Sequence, residues 1–142
     1  MAYEFGTKEW TKALYEAINE SSEYRNTAAK WGVGFNGNVL LAFEADDGLE
    51  QSLNLLIQLQ AGTCQGADFV DSAEHSAAGF VLHGPFAVWK EILERKSLAA
   101  TAILTGKLKV RGDKMTLLKN TAANRALIHC TSSIDTTWSA MG

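Results

Sequence analysis

Gly106-Lys107-Leu108-Lys109-Val110-Arg111-Gly112-Asp113 is the stretch that decides how the rest of the sequence is read. In an extended segment successive side chains point to opposite faces, so Leu108 and Val110 share one face and Lys107, Lys109 and Arg111 the other. A glycine at each end turns the chain, and Asp113 is placed to cap a helix. The octapeptide predicts a short strand, apolar on one face and strongly basic on the other, between two helical runs.

On its N-terminal side, Leu98 to Leu104 is small and apolar on nearly every side, which demands burial or contact with a ligand. Before that, the period switches at Gly84-Pro85. Pro85 suits the first turn of a helix, and Phe86, Val88, Trp89, Ile92 and Leu93 form its apolar side. On the C-terminal side, Met115, Leu118, Ala122 and Ala126 share a helical face, with Leu127 and Ile128 nearby; the pattern leaves continuity to Cys130 open.

Further upstream the period is two. Val39, Leu41 and Phe43 alternate with Leu40, Ala42 and Glu44, and Leu53, Leu55, Ile57 and Leu59 alternate with Asn54, Leu56, Gln58 and Gln60. Asp46-Asp47-Gly48 reads as a turn, as does Gly62 to Gly66, with a weaker strand over Ala67 to Asp71 and another over Phe80 to His83. Strands this close in sequence pair most economically as antiparallel neighbours. At the N-terminus, Thr7 caps a helix whose Trp10, Ala13, Leu14, Ala17 and Ile18 form a stripe. The pattern resumes with Tyr24, Ala28 and Trp31, as one long helix or two short ones, until Gly32 and Gly34.

Composition bounds the function. The 142 residues predict a single domain over 1–142 with room for a real core. No apolar run approaches the ~20 residues that span a membrane, and the first residues lack a basic and apolar leader, so a cytoplasmic location is expected. The net charge of −3 hides an asymmetry: residues 1–89 hold 4 basic and 12 acidic side chains, residues 90–142 hold 9 and 4. The basic half reads first as a solvated face, and otherwise suits headgroups, acyl-CoA phosphates or an acidic partner; nucleic acid is not expected, because the excess is small and exposed aromatic interleaving is lacking. Cys64 and Cys130 match no metal spacing and are expected as buried, reduced thiols.

Candidate chemistry is thin. Gly32-Val33-Gly34-Phe35-Asn36-Gly37 spells the dinucleotide fingerprint, but a helix precedes it and a strand follows, the reverse of what a pyrophosphate site needs. Arg111-Gly112-Asp113 and the sequon Asn19-Glu20-Ser21 have no role in a cytoplasmic chain. His75, His83 and His129 form no ligand set or triad and are expected to be structural or exposed. What remains is apolar surface concentrated between Trp89 and Leu118, readable as half of a packed core or as a ligand-lined wall.

The order helix, strands, helices, Gly-Lys-Leu-Lys-Val-Arg-Gly-Asp, helix resembles the sterol carrier protein 2 lipid-binding domain over roughly residues 5–130. The resemblance implies an α/β fold of α+β type: a curved, five-stranded, mostly antiparallel sheet, covered on one face by helices around an apolar tunnel. It further implies that Phe80, Leu82, Trp89, Ile92, Leu93, Leu98, Ile103 and Leu104 line that tunnel, with Leu108, Val110, Met115 and Leu118 closing it. Lys107, Lys109, Arg111 and Lys114 are then the expected contacts to an anionic head or a membrane surface. The implied activity is non-enzymatic binding and transfer of a fatty acid, fatty acyl-CoA, sterol or isoprenoid-like ligand, with no catalytic residue, metal or cofactor. The alternative is an accessory module presenting a hydrophobic substrate to a partner enzyme. An enzyme acting on a bound lipid would have His83 or Cys130 as its nearest participants.

Overall fold

In the computed structural model, which describes residues 2–71 and 77–138, the chain opens with β1 (Tyr3–Glu4), α1 (Lys8–Glu20) and α2 (Ser22–Thr27). Four strands follow: β2 (Val39–Glu44), β3 (Leu53–Gln60), β4 (Thr63–Val70) and β5 (Phe80–Pro85). Next come α3 (Phe86–Leu93), α4 (Ala99–Leu104) and β6 (Lys109–Arg111). The chain closes with α5 (Lys114–Lys119), α6 (Thr121–Ser132) and β7 (Thr136–Thr137).

Strands β2 to β6 form one sheet of order β4-β3-β2-β5-β6. Three of its pairs are antiparallel, but β2 and β5 run parallel, with Leu41 opposite Leu82. The expectation of antiparallel neighbours throughout the first four strands therefore fails at one pair. A parallel return needs a dozen or more connecting residues, and here the whole β3–β4 hairpin supplies them. That hairpin turns on Ala61 (φ 53°) and Gly62 (φ 84°), the pair of left-handed residues of a type I′ turn. The turn is tighter than the predicted Gly62–Gly66, so β4 begins at Thr63.

Period-two alternation sorts the sheet into two faces. Val39, Leu41, Phe43, Leu55, Ile57, Leu59, Phe80 and Leu82 join the main core with the helices. Leu40, Ala42, Leu56 and Val81 form a smaller cluster, against which Val70 and Ala78 pack. Central strand β2 is thus apolar on both faces, which explains why its run from Val39 to Phe43 contains no polar residue.

Helix α1 buries Trp10, Leu14 and Ile18, one stripe of its predicted face. Ser21 settles the question of one helix or two. Its N–H closes α1 on Ile18, while its hydroxyl accepts from the Tyr24 N–H at 3.0 Å to open α2. Asp113 caps α5 as predicted, accepting from the N–H groups of Met115 and Thr116 at 3.1 and 3.3 Å. The following helical run breaks at Asn120 into α5 and α6. Gly112, between β6 and α5, takes φ 119°, and a Cβ there would sit 2.6 Å from the Gly79 carbonyl oxygen. Only glycine fits this turn.

A second, two-stranded sheet was not legible in the sequence. β1 and β7 pair in parallel, with Tyr3 opposite Thr136, and bring Phe5 and Trp138 together at 5.0 Å. Phe5 also stacks on Phe43 at 5.1 Å and meets Trp10 edge-on at 4.9 Å. None of the described helices is long and apolar enough to cross a membrane.

Candidate functional site

The helices do not fill the space over β2 and β5. A cavity of about 410 Å³ remains between sheet and helices. Val39 and Leu41 of β2 and Leu82 of β5, alternate residues of neighbouring strands, line it from the sheet. Trp89 and Ile92, three apart on α3, form one side. Leu98, Ala99, Ala100 and Ile103 form a second side, and Leu117, Leu118, Leu127 and Ile128 a third.

Two joints hold this wall. The Trp89 indole N–H donates to the Ala42 carbonyl at 2.9 Å, and its ring lies 5.1 Å from Phe43. The indole thus ties α3 to β2. The start of α3 has no cap of its own, because Pro85 carries no side-chain acceptor. Asp46 fills that role from the distant turn: one carboxylate oxygen accepts from Ala87 N–H and the other from Gly48 N–H, both at 2.8 Å. The Asp46-Asp47-Gly48 turn therefore also sets the entry of the wall helix.

The rim is polar and open to solvent. Arg95, Arg125 and His129 line it together with Ser97, Thr121 and Asn124. The Arg95 guanidinium lies 3.3 Å from His129 Nε2, and His129 Nδ1 lies 3.1 Å from the Glu23 carboxylate. A guanidinium can only donate, so Nε2 accepts from Arg95 and Nδ1–H donates to Glu23.

Of the residues expected to line the tunnel, Leu82, Trp89, Ile92, Leu98, Ile103 and Leu118 are on the cavity wall. The structure puts the others elsewhere. Phe80 shares the inner face with Leu82, but its ring packs into Trp31 and Phe35 at 5.0 and 6.1 Å. Leu93, one position round the helix from Ile92, turns toward Ile134 and Ser132 in a second, polar recess. Leu108 is buried beneath Gly84, where an added Cβ would come within 2.6 Å of it. Val110 is half-buried at the sheet edge opposite Leu82.

Leu104 and Met115 are solvent-exposed, at 67% and 59%. The nearly all-apolar run is thus not all buried. Ala102 and Ile103 point inward, while Leu104, a further 100° round a six-residue helix, points away. Leu98 is 59% exposed yet contributes to the cavity, which places it at the opening.

The basic residues expected at a headgroup also lie apart from the cavity. Lys107, Lys109, Arg111 and Lys114 are exposed along β6, the turn before it and the first residue of α5. The cations at the rim are instead Arg95 and Arg125, which no motif singled out. The available signal was the polar stretch Glu94-Arg95-Lys96-Ser97, interrupting two apolar helical runs where a mouth would lie. Val39 and Leu41 were legible as strand residues but not as wall, because the parallel β2–β5 pairing was not foreseen.

Elsewhere, His83 Nδ1 contacts the Glu44 carboxylate at 2.9 Å at an exposed strand end, away from the cavity. His75 lies outside the described residues. Cys64 and Cys130 are free and buried. Burial pushes the Cys64 thiol up to about 11 and raises that of Cys130 as well, so neither is poised as a thiolate. Among the described residues no group of three or more His, Cys, Asp or Glu side chains could hold a metal ion.

A model of the SCP-2 sterol transfer family matches residues 16–124, well over half of the chain. The chain belongs to that family. Membership of the SCP-2 family implies lipid binding or transfer as the activity of the domain, without fixing the ligand. None of the curated proteins matches the chain.

Among solved structures, a sterol carrier protein 2 is 27% identical with a TM-score of 0.78, over 90% of this chain and 97% of that one. A conserved hypothetical protein of Thermus thermophilus, described as possibly a sterol carrier protein, is also 27% identical. Its TM-score is 0.77, over 92% of this chain and 90% of that one. The same fold occurs in a ubiquinone synthesis protein, UbiJ-SCP2, at 14% identity and a TM-score of 0.50, over 89% and 88% of the two chains.

Proposed function

We propose that the protein is a carrier in the cytoplasm that holds the tail of a single-chain lipid in the cavity over β2 and β5. The observation that carries this reading is an apolar-walled space of about 410 Å³ in a member of the SCP-2 family. Ligand sites run from about 300 to 1,000 Å³. The lower part of that range suits one alkyl or isoprenoid chain better than two acyl chains. Each buried methylene gains about 0.8 kcal/mol, so a chain of ten gains roughly 8 kcal/mol before the cost of immobilisation. Such binding needs no specific hydrogen bond and tolerates several chain types. No step of chemistry is assigned to any residue.

Delivery to a membrane is assigned to the exposed edge beyond the cavity. Lys107, Lys109, Arg111 and Lys114 supply positive charge there, and exposed Leu104 and Met115 supply apolar contact in the same stretch. Neutralising the three lysines is expected to slow transfer to anionic vesicles and leave transfer to neutral ones unchanged. Equal rates on both vesicles would remove that edge from the proposal.

The direct test is solvent extraction of protein purified without added ligand, followed by mass spectrometry. A stoichiometric single-chain lipid supports the carrier, and Leu118→Trp, which narrows the cavity, should then lower its occupancy. An empty extract, with no binding of a fluorescent fatty acid, would refute it. The accessory-module reading draws on the occurrence of the fold in a ubiquinone synthesis protein. It requires that vesicle-to-vesicle transfer be absent and that a partner enzyme's turnover rise when the protein is added.

A further inference from the structure

We infer that the mouth of the cavity is an oxyanion-reading site, in which Arg95 and Arg125 receive the carboxylate or phosphate head of an amphiphile whose tail fills the cavity. This rests on the reading of the cavity as a lipid site and adds the charge of the head.

The first observation is where Arg95 sits. It follows the C-cap of α3 with φ 63°, in the left-handed region. Its N–H donates to Ile92 C=O at 3.0 Å, and the next N–H, of Lys96, donates to Glu91 C=O at 2.8 Å. Those are the two closing bonds of a Schellman motif, whose left-handed position glycine fills without strain. An arginine there gives up backbone stability, and what it gains is a guanidinium on the cavity rim. Strain kept at a ligand-facing position points to a role in binding.

The second observation is the company that side chain keeps. The hydrogen-bond partner of Arg95 is an imidazole nitrogen, Nε2 of His129, whose other ring nitrogen contacts Glu23. Arg125 stands one helical turn before His129 on α6 and lines the same rim. Among the described residues Lys96 pairs with Glu94, and His83 and His129 contact Glu44 and Glu23; none of these contacts uses Arg95 or Arg125. Two guanidinium groups thus border an apolar cavity with no carboxylate paired to either. Arginine's planar fork matches a carboxylate or phosphate, and a nearby apolar wall strengthens the attraction.

The test compares three probes of one chain length, dodecanoate, dodecyl phosphate and dodecanol, by displacement of a fluorescent fatty acid at low and physiological ionic strength. The wild-type protein is expected to favour one or both oxyanions over the alcohol, and the order of carboxylate and phosphate identifies the head. Arg95→Gln and Arg125→Gln should each lower the oxyanion-over-alcohol preference about tenfold, with Arg95→Lys retaining part of it. Arg95→Gly should lower the preference likewise while raising the melting temperature, which separates the anchor from any structural role. If all three probes bind equally, or the preference survives in both glutamine variants, the mouth does not read charge although the cavity binds tails. If none binds the wild-type protein, the cavity reading itself falls, and this inference with it.

Discussion

Trp89→Phe tests the wall of the cavity at its firmest joint. The indole is 1% exposed, donates to Ala42 C=O at 2.9 Å and borders the empty space. Losing that hydrogen bond costs about 1 kcal/mol. Trimming the bicyclic ring to phenyl forfeits packing worth about 1–2 kcal/mol more, as part of a full truncation cost of about 3–5 kcal/mol. The void left behind joins the existing cavity and does not close up, which pushes the sum toward the top of about 2–3 kcal/mol in the ligand-free protein. In a domain of this size one kcal/mol shifts the melting temperature by about 4 °C, so a fall of about 8–12 °C is expected. Thermal and urea melts with and without dodecanoate measure it, and a tail that enters the new space should restore part of the loss. A change below about 0.5 kcal/mol, typical of surface positions, would mean that α3 is not tied to β2 through this side chain.

Neighbouring residues of α4 should behave oppositely: Ile103→Ala is expected to cost about 2–4 kcal/mol in urea unfolding and Leu104→Ala less than about 0.5. Ser21→Ala removes the cap of α2 and should cost about 1 kcal/mol by the same assay, with Ser21→Asn retaining most of it. Gly112→Ala places a Cβ 2.6 Å from the Gly79 oxygen in a left-handed turn and should lower the denaturation midpoint clearly. Cys64 and Cys130 should resist a thiol reagent at neutral pH until the protein unfolds. The Cys64 thiol is raised from an ordinary value near 9 to about 11, so the unfolded chain gives up its proton first. Stability from this group is therefore full below pH 9 and falls as pH rises through 11. Melting temperatures that hold steady across that window, in comparison with Cys64→Ala, would contradict the assignment.

Much of the fold was legible because local pattern and tertiary role agree. Val39–Glu44 and Leu53–Gln60 alternate because each strand presents an inner face to the helices, and Thr7 and Asp113 mark helix starts by the chemistry that caps them. The parallel β2–β5 pair was not legible, because sequence proximity favours antiparallel partners and nothing local reports the crossover. The candidate wall was half legible for a related reason. Trp89, Ile92 and Ile103 follow a helical face inward, but Leu104 and Met115 are equally apolar and point out, and period alone cannot fix the angle at which a six-residue helix lies on the core. The rim was not legible because Arg95 lies just after α3 while Arg125 and His129 lie a turn apart on α6, and the two groups meet only after those helices pack.

The pairing of β1 with β7 has a consequence for how the chain assembles. Tyr3 meets Thr136, so this contact closes nearly the whole sequence into a ring, whereas β3 and β4 meet across a two-residue turn. Loop-closure entropy rises only slowly with length, but it must be met before distant contacts reward it, so the hairpin should form early and the clasp late. Held by two residues on each strand, the clasp is also a natural first point of opening. Of the amides bonded between strands, Tyr3 and Phe5 are then expected to exchange fastest, and to report the fraying of a seam whose release would bare Phe43 and Trp10 without unfolding the sheet.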